Sequence, residues 1–159
     1  MRLGDIGIRR QAGFAYLWLL AAVAIAGIAL AAVGTRWADR VQREREQQLL
    51  RIGRLYAQAL LAYHDGSPGS DKTWPKEIDE LLLDPRMLRP VRHLRAAYTD
   101  PMVPGQPFVL IRAADNTIRG VHSSSMATPY REGAVDLGVV VLAPAEHYRD
   151  WQFAPKVDK

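Results

Sequence analysis

His122-Ser123-Ser124-Ser125 sets an imidazole directly before three hydroxyls, the residue types of a serine nucleophile and its base. No Gly-x-Ser-x-Gly elbow surrounds them, and adjacent residues on a strand point to opposite faces. The spacing therefore reads as a strand end followed by a hydroxyl-rich loop, with a hydrolase using His122 or Ser123 kept as a rival. His64, His93 and His147 lack metal-ligand spacing. With zero cysteines there is no disulfide, thiolate zinc site or Cys nucleophile. No catalytic residue, cofactor or metal is assigned. Asp79-Glu80 read as the solvated face of a short helix, and His64 as a cation favoured by a helix C-terminus. Arg86, Arg89, Arg92 and Arg95 recur every three residues, but Pro90 breaks any continuous helical stripe. Ion pairs or subunit contacts suit them better than nucleic acid. Trp74 and Trp151 read as buried aromatics.

These groups must be positioned by a chain of 159 residues, room for one ordinary domain. It is 48% hydrophobic and 24% charged, an average that conceals a division. Residues 12–35 hold no charged side chain. The first 35 residues carry three Arg and one Asp, so +4 minus +2 leaves a net charge of only +2 on the remainder. Composition gives no case for nucleic acid.

Phe14 to Gly34 is a 21-residue run without charge or proline, about 31 Å as a helix and long enough for a bilayer core. The run predicts a transmembrane segment over 14–34 rather than the short apolar core of a cleaved signal peptide. Arg2, Arg9 and Arg10 precede it; Arg36, Arg40, Arg43, Arg45 and Arg51 follow, interleaved with Asp39, Glu44 and Glu46. From 36 to 63 the chain lacks proline. Val41, Leu49, Ile52, Tyr56, Leu60 and Tyr63 recur at helical steps, an amphipathic stripe. The turn-forming cluster His64 to Ser70 stops it. One continuous helix is expected from Phe14 to His64, or alternatively two helices broken near Gly34-Thr35. Thr73 is expected to cap a helix over 74–83, with Pro75 in its first turn and Asp84-Pro85 ending it. Phe108–Arg112 and Thr117–His122 flank a polar four-residue turn, a hairpin signal. Leu137–Leu142 and Tyr148–Phe153 are expected as a third and a closing strand. The fold class is α+β: a long N-terminal helix, its first half transmembrane, packed on an antiparallel sheet of three to four strands. The expected divisions are a basic leader 1–13, a transmembrane half 14–34, an amphipathic half 35–64 and an α+β domain 65–159.

Arg9-Arg10-Gln11-Ala12-Gly13 followed by Phe14-Ala15-Tyr16-Leu17 resembles the processing site of type IV pilin-like proteins, whose short basic leader ends in Gly before a Phe-initiated apolar helix. Further on, the chain is similar to the type II secretion pseudopilins of the pseudopilin G-like group. The similarity lies in Trp74-Pro75 with Leu81-Leu82-Leu83-Asp84, in Asp100-Pro101-Met102, in Gly120-Val121-His122-Ser123 and in Tyr148-Arg149-Asp150-Trp151-Gln152-Phe153. The resemblance implies cleavage after Gly13 by a prepilin peptidase and methylation of the Phe14 amine. It implies no enzymatic activity and a pilin-like fold in a single-pass protein of the bacterial inner membrane, with its C-terminal domain periplasmic. It also implies a structural role in a filament supporting protein export across the outer membrane. The implied partners are other pseudopilin subunits, an inner-membrane assembly platform and the peptidase. Tyr16, Leu17, Trp18 and Leu20 would serve membrane insertion and assembly, and Arg43, Glu44 and Glu46 would set register between neighbours. The family places Glu fifth in the mature helix, where this chain has Trp18. A hydrocarbon-buried amine needs a carboxylate partner, so the departure implies a minor or atypical subunit. The rival is an uncleaved single-pass inner-membrane protein carrying a periplasmic binding domain.

Overall fold

The computed structural model of the chain describes residues 12–157, and of residues 12, 13, 31–36 and 38 the helical backbone alone. The leader residues 1–11 lie outside the described residues. Helix α1 runs Ala12–Asp65 over 54 residues. Two compact units divide within it, residues 1–41 and 42–159.

The transmembrane expectation is overturned. Among the described residues no helix is long and apolar enough to cross a membrane. Helix α1 carries the charged side chains of Asp39 to Arg54 further on. The single-pass inner-membrane localisation, with its periplasmic C-terminal domain, loses its premise with it. In the unit 1–41, Phe14 and Trp18 are 68% and 66% exposed, and Leu17, Ile25, Ile28 and Leu30 are exposed as well.

In the unit 42–159, α1 buries one stripe. Leu49, Gly53, Tyr56, Leu60 and Tyr63 recur at alternating steps of four and three residues, and all are buried. Phe153 lies against this stripe at Gly53, where any Cβ would penetrate the Phe153 ring. The poorest helix former of this half is thus the contact point for the chain's last large aromatic.

The other elements are short. Helix α2 is Asp79–Leu82, not the expected 74–83. Its first residues are claimed elsewhere, because the Pro75 carbonyl accepts the Ile118 amide at 2.7 Å and Trp74 is buried. Strands β1, Val109–Arg112, and β2, Ile118–His122, form an antiparallel hairpin. Its turn places Asn116 at φ 63, and the Asp115 carboxylate accepts the Thr117 amide and hydroxyl. The register slips between Ile111 and Arg112, leaving Arg119 as an extra residue. Strands β3, Val135–Asp136, and β4, Val141–Leu142, make a second antiparallel pair. Gly138 turns between them at φ 83, its amide bonded to the Asp136 carboxylate.

Among the described residues a sheet of three to four strands is therefore not formed; there are two two-stranded sheets. Tyr148–Asp150 is a 3-10 turn rather than a strand, held by the Asp150 carboxylate on the His147 amide at 3.2 Å. Only Phe153 pairs with β2, through two backbone bonds to Val121. Pro75 and Phe153 thereby cover the free edge of β2 at its two ends. The mixed α+β character stands on α1, the two hairpins and the core between them.

Gly53→Ala removes a helix-weakening glycine, worth about 1 kcal/mol on an exposed helix, yet it drives a methyl into the Phe153 ring. We expect a net loss of about 1–3 kcal/mol in urea unfolding; a stabilised variant would contradict the Gly53–Phe153 contact.

Candidate functional site

The expected processing and assembly residues, Gly13, Phe14, Tyr16, Leu17, Trp18 and Leu20, all lie in the first turns of α1. The described side chains among them are exposed. Phe14, Leu17 and Trp18 share one face by their three- and four-residue steps.

The polar chemistry of the unit 42–159 is gathered at three carboxylates, each 2% exposed or less. Asp84 follows α2 and precedes Pro85. Its Oδ1 accepts the Arg86 amide at 3.0 Å, an Asx turn, and the Arg86 Nε at 2.9 Å. Its Oδ2 receives Arg86 Nη2 at 2.7 Å and meets His93 Nε2 at 3.0 Å. The guanidinium also donates to the Ser67 and Thr73 hydroxyls and to the Tyr63 carbonyl, and lies over the Tyr63 ring at 3.4 Å. Hydrogen bonding from Arg86 holds the Asp84 carboxyl well below the ordinary carboxylate range. The reciprocal bond raises the Arg86 guanidinium above its usual value. Tyr63 donates to the Glu80 carboxylate, and burial, followed by that bond, pushes its phenol up. Glu80 also accepts the amides of Lys76 and Glu77. It caps the chain entering α2 and is not the solvated carboxylate expected.

Asp100 repeats the turn, again before proline. Its Oδ1 accepts the Met102 amide at 2.8 Å, and its Oδ2 accepts the Ser123 hydroxyl at 2.6 Å and the Ser124 amide at 3.1 Å. The Asp-Pro-Met and Gly-Val-x-Ser segments are thus one hydrogen-bonded unit. Ser123 is fully buried, and its oxygen also accepts the Ser125 amide. His122 Nδ1 turns to the Ser123 carbonyl at 2.8 Å and not to a hydroxyl. The Ser123 hydroxyl is therefore a loop anchor, donating to Asp100 and accepting the Ser125 amide.

Glu46, on α1, is the third. It accepts the Tyr130 amide at 2.7 Å and the Tyr148 hydroxyl at 2.8 Å, with Arg131 Nε at 3.4 Å. Burial, and then the Glu46 bond, raise the Tyr148 phenol. Gln42, one turn earlier, donates to the Thr128 carbonyl at 3.0 Å, and Arg43 donates to the Tyr130 hydroxyl with its guanidinium over that ring. Of Arg43, Glu44 and Glu46, expected to set register between neighbours, Glu46 is instead buried against its own domain's 128–131 loop.

Trp74 lies beneath His64, ring centroids 4.4 Å apart, with Arg119 4.7 Å over it. Trp151 stands edge-on to Tyr148 at 5.3 Å. Among the described residues no group of three or more His, Asp or Glu could hold a metal ion. The ion pair expected of the arginine cluster is present at Arg86, with Asp84 as its partner; sequence reasoning named Glu46, Asp84 and Asp100 but missed that all three are buried anchors. The signal for Glu46 was its position in the four-and-three series that continues through Leu49, Gly53, Tyr56, Leu60 and Tyr63; for the two aspartates it was the Asp-Pro dipeptide. Comparison with protein-family models, with curated proteins and with solved structures finds no match.

Because the Asp84 carboxyl titrates lower in the folded state than its unfolded value near 4, its contribution is complete above about pH 4 and is lost as the pH falls toward the depressed value. Asp84→Asn leaves the Arg86 cation without its counter-charge, and we expect a loss of about 3 kcal/mol at pH 7 in urea unfolding. The variant should lose less further stability than the wild-type chain between pH 4 and pH 2. Parallel losses would remove Asp84 as the acid-sensitive anchor.

Proposed function

We propose that the chain is a structural, pilin-like subunit that assembles helix against helix into a filament of the type II secretion or type IV pilus class, supporting protein export across the outer membrane. One observation carries this reading. A 54-residue helix presents large exposed apolar side chains from Phe14 to Leu30, while its C-terminal end is seated by Glu46, Tyr56 and Tyr63 in a small α+β domain. An apolar surface of this extent is costly in water, at roughly 25 cal/mol per Å², and identical helices stacked side by side remove it. The motif segments that resemble pseudopilins serve one purpose in this account, holding a compact head on the helix. Maturation would cleave after Gly13 and methylate the Phe14 amine. Trp18, at the fifth position after that cut, supplies no carboxylate for a neighbour's amine, which suits a minor or terminal subunit. Other subunits, an assembly platform and the prepilin peptidase are the partners this reading requires.

Intact mass of the chain made alongside a prepilin peptidase should show loss of residues 1–13 and gain of one methyl. Leu17→Arg with Leu20→Arg should reduce pelletable polymer roughly tenfold or more, each buried arginine costing well over 1.4 kcal/mol, with the thermal unfolding of the 42–159 unit unchanged. An unprocessed mass, or polymer that ignores the two arginines, would overturn the reading.

A further inference from the structure

Between α1 and the segment that follows α2 lies a cleft of about 480 Å³, floored by Leu55, Ala59, Leu94 and Tyr98 and edged by Arg92 and Arg95. Its charge is one-sided. Residues 49–63 and 85–99, the two stretches that wall it, contain no Asp or Glu and six Arg. Of these only Arg86 is neutralised, by Asp84. Arg51, Arg54, Arg89, Arg92 and Arg95 are exposed, and among the described residues they make no hydrogen bond or ion pair. Arg51 and Arg54 stand one helical turn before Leu55 and Gln58, which line the cleft, so they extend the same positive face. An apolar floor is thus edged by two unpaired guanidiniums, with three more on the same two stretches, on a chain whose net charge is only +4.

We propose that this cleft docks an acidic segment of a partner protein, one in which carboxylates flank a large aliphatic side chain. The guanidiniums would engage the carboxylates in forked pairs, which are geometrically selective. The aliphatic group would fill the floor. Nucleic acid fits less well, because stacking platforms are missing: Tyr98 is half-buried and edge-on to Tyr56 at 6.3 Å. An anionic lipid surface would be met by several protruding apolar groups; on these two stretches Leu88 alone is a fully exposed large apolar side chain, and it stands outside the cleft lining. The inference does not depend on the filament reading, since the cleft lies wholly within the unit 42–159.

Fluorescence anisotropy tests it with the full-length chain and a labelled hexapeptide of alternating Glu and Leu. Binding is expected, weakening as salt rises from about 50 to about 500 mM. Arg92→Glu with Arg95→Glu should weaken it at least roughly tenfold, a change of about 1.4 kcal/mol, and Arg92→Gln with Arg95→Gln should weaken it by less. Arg45→Glu, off the cleft, should leave it unchanged, with circular dichroism reporting the fold of each variant. Equal binding of the peptide with Leu replaced by Ser would overturn the proposal by reducing it to bulk charge. So would unaltered binding by the cleft variants. Arginine-dependent binding only to phosphatidylglycerol vesicles, or only to a second copy of the chain, would overturn it as well.

Discussion

A carboxylate taken out of water must be given donors, and in this domain the donors come from loops. Asp84 and Asp100 each precede a proline, and each uses one oxygen to close the turn onto the amide two residues on. The other oxygen then binds the Arg86 side chain and His93 in one case and reaches across the fold to Ser123 and Ser124 in the other. Proline suits the device because it has no amide to leave unsatisfied in the turn. Leaving such a charge buried and unpaired would cost several kcal/mol, so the loops cannot drift without exposing or orphaning it. The rest of the domain depends on that constraint, because its regular structure is slight: two short hairpins and one turn of helix beside α1.

Helix α1 meets these loops through matching features. Glu46 fixes the loop at 128–131, Gly53 admits the Phe153 ring, Tyr56 donates to the Tyr98 carbonyl and accepts its amide, and Tyr63 lies under the Arg86 guanidinium. A single face of one helix thus touches each of the three carboxylate-held regions or its neighbour. Function in the proposed reading is a consequence of this seating. The head stays with its helix while the exposed apolar stretch from Phe14 to Leu30 is left for assembly, and the arginine-edged cleft is left for a partner.

Much of this was legible in the residues. The stripe at Leu49, Ile52, Tyr56, Leu60 and Tyr63 announced the buried face of α1, and the two β-rich runs around Ala113–Asn116 announced the hairpin. Length and lack of charge at 14–34 suggested a membrane span. Among the described residues no helix is long and apolar enough to be one, and α1 continues as a charged helix. Alternation of large and polar residues at 148–153 suggested a strand, but the Asp150 carboxylate captures the His147 amide and curls the chain into a 3-10 turn first. A helix over 74–83 failed because Pro75 spends its carbonyl on Ile118. In the last two cases a side-chain or long-range bond overrode local pattern. The Pro75–Ile118 bond is invisible to periodicity because it joins residues distant in sequence.

Amide hydrogen exchange tests the central claim, that buried carboxylates hold the loops of this domain as firmly as strand pairing holds β2. The amides of Arg86, Met102, Ser124 and Tyr130, all bound to carboxylate oxygens, should be protected to within about tenfold of the strand amides of Val121 and Phe153. If they exchanged at the rate of unstructured peptide while Val121 and Phe153 stayed protected, the loops would be held by something other than the three carboxylates.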